Sequence, residues 1–239
     1  MSNIAIKLQN QIATPFIGII RLDIKKITYI LIVSLIASFF VRITGTLFPV
    51  IFQNLYIVKL AIVINTFFII VHLLFFICFL RSYATNREQS LKIVSFLSII
   101  GSIAVAFIYV KNFCLVFKLD IFPLFLMNYT LDAIIPLASS LIHLLFFYTF
   151  KKVQTQAEYK MLDRPIVSAI IGIGIFIVLH LIVLVNYLKS HKFAWLEHMH
   201  RMVAVGTLPF IALATVLILY FYYRFYQFVS FKRVNTYAR

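Results

Sequence analysis

The fold class this sequence predicts is an all-α polytopic membrane bundle of six transmembrane helices with both termini cytoplasmic. Three observations carry it. Hydrophobic residues make up 63% of the chain and charged residues only 12%. Soluble domains run at about half apolar and about a quarter charged, so a water-soluble fold could not hide this much apolar surface. The apolar runs are continuous rather than alternating, which argues against a transmembrane barrel. Finally, the basic residues divide unevenly between the loops, and that division orients the chain. Crossings of about 20 apolar residues let 239 residues hold six helices and no sizeable aqueous domain.

The elements follow in order. Residues 1–26 read as an amphipathic cytoplasmic arm. Pro15, Gly18 and the stretch Phe16 to Ile27 suit an interface-lying segment, and no cleavage site of the secretory kind follows the charges. The six-helix membrane domain covers 27–226, with crossings predicted at 27–50, 57–80, 91–116, 122–150, 166–188 and 202–226. The fourth run is long and contains Asn128, Asp132 and Pro136. It is expected to start at the interface and to cross from about 132. Residues 227–239 form a basic cytoplasmic tail. Arg42, Lys59, Lys111, Lys118, Lys189, Lys192 and Arg201 fall on one side. More than twice as many of the 22 basic residues fall on the side of the termini. The positive-inside rule places that side in the cytoplasm. The formal +15 charge therefore marks topology, and nucleic acid is excluded as a partner. Tyr220, Tyr222, Tyr223 and Tyr226 fit an inner aromatic belt and Trp195 an outer one. Cys78 and Cys114 lie toward opposite faces, too far apart for a disulfide.

Polar and ionisable groups inside the apolar runs are the candidates for function, because hydrocarbon makes them costly. The bland alternative for each is a hydrogen bond across a helix interface. Val71-His72-Leu73-Leu74-Phe75-Phe76 is repeated 71 residues later as Ile142-His143-Leu144-Leu145-Phe146-Phe147. Both helices run from outside to inside, so the two imidazoles are predicted at one depth. Two parallel helices presenting His at one level make a bis-imidazole clamp for a heme iron plausible. Chance similarity of Leu/Phe-rich helices is the competing explanation. Asp132 is expected to face the bundle and to contact Arg42 or Lys111, since a lone carboxylate there is costly. Near the outer face stands Glu197-His198-Met199-His200-Arg201, with His180 and Arg42 at similar depth. Arg42 and Arg201 suit the carboxylates of a propionate-bearing cofactor. The competing reading makes Glu197 a helix cap and Arg201 a headgroup anchor. No zinc motif, phosphate loop or hydrolase triad is present.

The segment Glu197-His198-Met199-His200-Arg201 resembles the Glu-x-x-His-Arg motif of the heme A synthase family. Val41-Arg42-Ile43-Thr44-Gly45-Thr46 is similar to the segment ending helix one there, and Leu141-Ile142-His143-Leu144-Leu145 looks like its helix four. The resemblance touches helices one, four and six in the family's order. It implies a heme-binding membrane protein that oxidises the heme O methyl group, with heme b as cofactor. By position it implies His143 and His200 as iron ligands and Glu197 as the catalytic carboxylate, with Arg42, Arg201, His72 and His180 around the cofactor. Three departures stand out. The chain has six helices where the family has eight, helix two lacks the Glu-x-x-His-Arg motif, and the paired outer-loop cysteines are missing. The alternative is a non-catalytic membrane subunit or assembly factor of a respiratory complex. The expected partners are a heme substrate, the lipid bilayer and respiratory-chain membrane proteins. The expected location is a bacterial or archaeal plasma membrane, or an inner mitochondrial membrane.

Overall fold

The computed structural model describes residues 23–48, 50–51, 54–85, 87–119, 129–190 and 196–237. For 129–130, 157, 186–190, 196–204 and 232–237 it describes the backbone alone. Six helices result: α1 (Ile24–Leu47), α2 (Leu55–Phe79), α3 (Gln89–Val116), α4 (Tyr129–Lys152), α5 (Gln156–Ser190) and α6 (Leu196–Tyr237). No strand occurs among the described residues. All six are long and apolar enough to cross a membrane, and large apolar side chains such as Phe40, Phe67, Phe96 and Phe210 stand exposed along them. Such an apolar exterior is stable against lipid and not against water. The chain is an integral membrane protein.

Local chemistry sets the helix ends. Asp23 and Asn54 cap α1 and α2, their side chains accepting from the backbone N–H of Lys25 and Tyr56, which satisfies donors that a helix start leaves open. Thr155 and Glu158 form a reciprocal capping box at α5. Lys118, at φ 54°, ends α3 in the left-handed conformation while Leu119 N–H returns to the Cys114 carbonyl. α2 finishes in a π-helical turn, Leu80–Ala84. Two helices overrun their expected limits. α5 begins at Gln156, well before 166, and α6 spans Leu196–Tyr237, beyond both 202 and 226. Hydropathy marks the part of a helix that lies in lipid, whereas the backbone stays helical through polar turns outside it. Much of the tail expected at 227–239 is thus the end of α6. Residues 1–22 of the arm, and Trp195, lie outside the described residues.

Each helix packs mainly on its sequence neighbours, and α1 closes the ring against α6. Six crossings return the chain to its starting side, so both ends of the bundle's chain share one end of the ring. At that end the centre is filled by aromatics from the three helices that run in the same direction. α2 gives Phe75, Phe76 and Phe79; α4 gives Phe146, Phe147 and Phe150; α6 gives Phe221, Tyr222 and Phe225. All nine are buried to 2% exposure or less. Ring centroids meet between every pair of these helices: Phe79–Phe150 at 5.4 Å, Phe147–Phe221 at 4.7 Å and Phe75–Tyr222 at 5.1 Å. Tyr222 is therefore part of this plug and not of an interfacial belt. The spacing i, i+1, i+4 recurs in all three helices and puts the three rings on one face. Thr28, Ser95 and Ser98 are also buried in this half, and each hydroxyl donates to the carbonyl four residues back in its own helix.

Small residues allow the helices to approach in the other half. A Cβ on Gly172 would stand 2.8 Å from the Ala214 carbonyl oxygen, so α5 and α6 touch there backbone to backbone. Ser168 adds a hydrogen bond to the Leu217 carbonyl at 2.8 Å. This is the close packing that small residues permit between membrane helices.

Candidate functional site

Above the plug the ring of helices opens into a cavity of about 290 Å³. The plug contributes its floor through Phe147 and Tyr222. Leu35, Phe39, Phe68, Ile173 and Phe176 form apolar walls. Into this volume the helices bring His72 from α2, His143 from α4, His180 from α5 and Arg42 from α1. Hydroxyls join them: Ser38, Ser102, Tyr109, Ser139, Ser140 and Thr215. No Asp or Glu lines the cavity among the described residues. The lining periodicity is regular. On α1, α3 and α5 the positions are Leu35, Ser38 and Arg42; Ser102, Val105 and Tyr109; Ile173, Phe176 and His180. Each set is spaced i, i+3, i+7, one stripe of a helix facing inward.

The predicted meeting of His72 and His143 is present, with ring centroids 5.0 Å apart and planes at 69°. Ser102 stands between them, its hydroxyl oxygen 3.4 Å from His72 Nδ1 and 3.4 Å from His143 Nε2. Ser139 lies 3.4 Å from His143 Nδ1. Phe76 stacks on His143 at 4.9 Å and meets His72 edge-on at 5.0 Å. His180 is held separately by Ser140, 3.2 Å from its Nδ1. No hydrogen bond among the described residues engages Nε2 of His72 or Nε2 of His180.

A heme clamp can be tested against these distances. Imidazole nitrogens bound to opposite sides of one metal lie about 4 Å apart, twice a bond of about 2 Å, with ring centres about 6 Å apart. At 5.0 Å, with Ser102 against the facing nitrogens, no macrocycle plane fits between the rings. In this arrangement the two rings stand about 1 Å closer than two imidazoles on one iron would. Their approach is an edge contact bridged by a serine. No group of three or more His, Cys, Asp or Glu that could hold a metal occurs among the described residues.

Asp132 faces inward, as expected, and its partner is Lys111. Nζ lies 2.6 Å from both carboxylate oxygens. Arg42, the other expected partner, instead lines the cavity with His180. The outer motif is in the first turn of α6 by backbone. The side chains of Glu197, His200 and Arg201 lie outside the described residues. Cys78 and Cys114 are both buried, and neither forms a disulfide among the described residues.

Sequence reasoning missed two features. The first is the third aromatic set in α6, whose signal was the spacing of Phe221, Tyr222 and Phe225; Ile218 occupies the position equivalent to His72 and His143. The second is Glu158, 1% exposed, which accepts from the Tyr83 hydroxyl and pairs with Arg87. The capping-box spacing of Thr155 and Glu158 was legible, but its two distant partners were not. No protein-family model, no curated protein and no solved structure matches this chain.

Proposed function

We propose that this protein binds a small lipophilic molecule inside the membrane, in the histidine-lined cavity. The observation that supports this reading is the composition of the lining. Three imidazoles, a guanidinium and several hydroxyls converge on one apolar volume, with no carboxylate among the described lining residues. Polar groups at this depth are costly unless they are satisfied. A cavity of donors with apolar walls suits a ligand whose body is apolar and whose polar atoms accept hydrogen bonds. The cell membrane with cytoplasmic termini is the proposed setting, from the partition of basic residues. The inner mitochondrial membrane is the equivalent organellar setting.

A second reading is heme b, in a relative of heme A synthase. It is favoured by one observation: His180 and Arg42 line the same cavity, which supplies one nitrogen ligand and one partner for a propionate. Heme, when bound, supplies redox chemistry at iron. His180 would hold it and Arg42 would orient its carboxylate. A role as a non-catalytic subunit of a respiratory complex uses the same cavity for a cofactor shared with partner chains.

The test is purification in mild detergent, followed by an absorption spectrum and by mass spectrometry of an organic extract. The proposal expects about one small lipophilic molecule per chain, or saturable uptake of one by the stripped protein. A protein that carries none and takes up none, while remaining folded, contradicts it.

A further inference from the structure

The cavity carries its hydrogen-bonding groups at two levels. The deeper level is the His72–Ser102–His143 bridge against the plug. The shallower level is His180 with Ser140 and Arg42. Ser140 and His143 lie on the same helix three residues apart, so the levels differ by about 4.5 Å along the bundle. Each level holds a ring nitrogen with no hydrogen-bond partner among the described residues, Nε2 of His72 below and Nε2 of His180 above. Where Nδ1 accepts from the serine hydroxyl beside it, Nε2 of a neutral imidazole carries the proton and donates. Phe39, Phe68 and Phe176 supply flat aromatic walls, and Phe147 the floor beneath them.

We propose that the cavity takes the head group of a lipophilic para-quinone, one carbonyl oxygen accepting from His72 and the opposite one from His180. This rests on the ligand-binding reading above and names its ligand class. Four features favour it. The ligand must dissolve in the bilayer and must present acceptors, because the described lining offers imidazoles, a guanidinium and hydroxyls and no carboxylate. It must present them at both ends of a flat body, because the donors stand at two levels with aromatic walls between. A fatty acid offers acceptors at one end only and leaves one level unpaired, which is unfavourable in a buried site. A heme macrocycle does not fit between His72 and His143. No redox step is included, since the described residues hold no electron donor.

The experiment uses the full-length protein, stripped of lipid in detergent, and four probes: decylubiquinone, its doubly O-methylated hydroquinone, decanoic acid and hemin. Binding is read by equilibrium dialysis, and the carbonyl stretches of bound decylubiquinone by infrared difference spectroscopy. The proposal expects saturable, one-to-one binding of decylubiquinone, with both carbonyl bands shifted to lower frequency. The methyl ether and decanoic acid bind at least tenfold more weakly. His72→Phe and His180→Phe each weaken decylubiquinone binding at least tenfold, and each removes the shift of one carbonyl band. If a histidine variant does not fold, the parent spectrum alone decides: two unshifted bands overturn the proposal. Decanoic acid bound as tightly as decylubiquinone also overturns it. Hemin bound one-to-one without competition from decylubiquinone overturns the quinone assignment and leaves the binding cavity standing. No saturable binding of any probe overturns both.

Discussion

The two halves of this bundle use the same residue types to opposite ends. In the half where α1 begins and α6 ends, Thr28, Ser95 and Ser98 are buried, and each hydroxyl returns to its own helix. Those side chains are satisfied locally, and the centre is left to nine packed aromatics. In the other half Ser38 crosses to Asn65 at 2.6 Å, while Ser102, Ser139 and Ser140 turn to imidazoles. Here the three α3 and α4 serines face imidazoles, Thr215 still returns to the Ile211 carbonyl, and the aromatics form walls. A hydroxyl bonded to its own helix makes a dry interface; one aimed across the bundle makes a polar chamber. The difference separates a packed region from a hollow one within one set of six helices.

Substitutions can break this contrast. The largest stability loss is expected in the plug. Phe79→Ala removes a ring fully buried among Tyr83, Phe146, Phe150 and Phe225. Reversible unfolding in mixed micelles should show a loss of about 3–5 kcal/mol, with ligand content per folded chain unchanged. A loss near zero would mean that the plug is not packed as described. Lys111→Met should rank next, at about 3 kcal/mol, because it leaves Asp132 without its partner. The double variant Lys111→Met/Asp132→Leu should recover most of that loss. Equal losses for single and double variants would show that the pair is not coupled.

Gly172→Val sharpens the comparison at the backbone contact. Its side chain would meet the Ala214 carbonyl, and overpacking of this kind costs about 1–3 kcal/mol. The same unfolding assay checks it, and full stability would place α5 and α6 further apart than described. The smallest effect lies outside both halves. Lys118→Gly relieves a left-handed backbone and should raise stability by about 1 kcal/mol. A decrease would mean that the Lys118 side chain contributes more than its conformation costs.

How much of this was readable in the sequence differs between the two halves. Six crossings were legible because lipid demands long apolar runs. Helix ends were not, since Gln156 and Tyr237 are polar enough to look like loop while remaining helical. The meeting of His72 and His143 was legible through the repeated His-Leu-Leu-Phe-Phe. Its chemistry was not: the serine that bridges them comes from α3, 30 positions after His72 and 41 before His143. Lys111 was one of two partners named for Asp132. The choice depended on which faces α1 and α3 present, which only packing decides. Arg42 was placed near the right cofactor-sized volume, but His180's serine partner, Ser140, left no signal in spacing.

The central claim is that the half away from the start of α1 is an accessible chamber and the other half is sealed. Single cysteines test it with little disturbance. In a background with Cys78→Ala and Cys114→Ala, Ser139→Cys places a thiol in the chamber and Ser95→Cys places one in the dry half, at positions only 5% and 0% exposed respectively. Labelling of both by N-ethylmaleimide is followed over time in detergent. The account predicts that Ser139→Cys reacts at least tenfold faster, and that the chamber's ligand slows it. Equal rates at the two positions, or faster labelling of Ser95→Cys, would contradict the account.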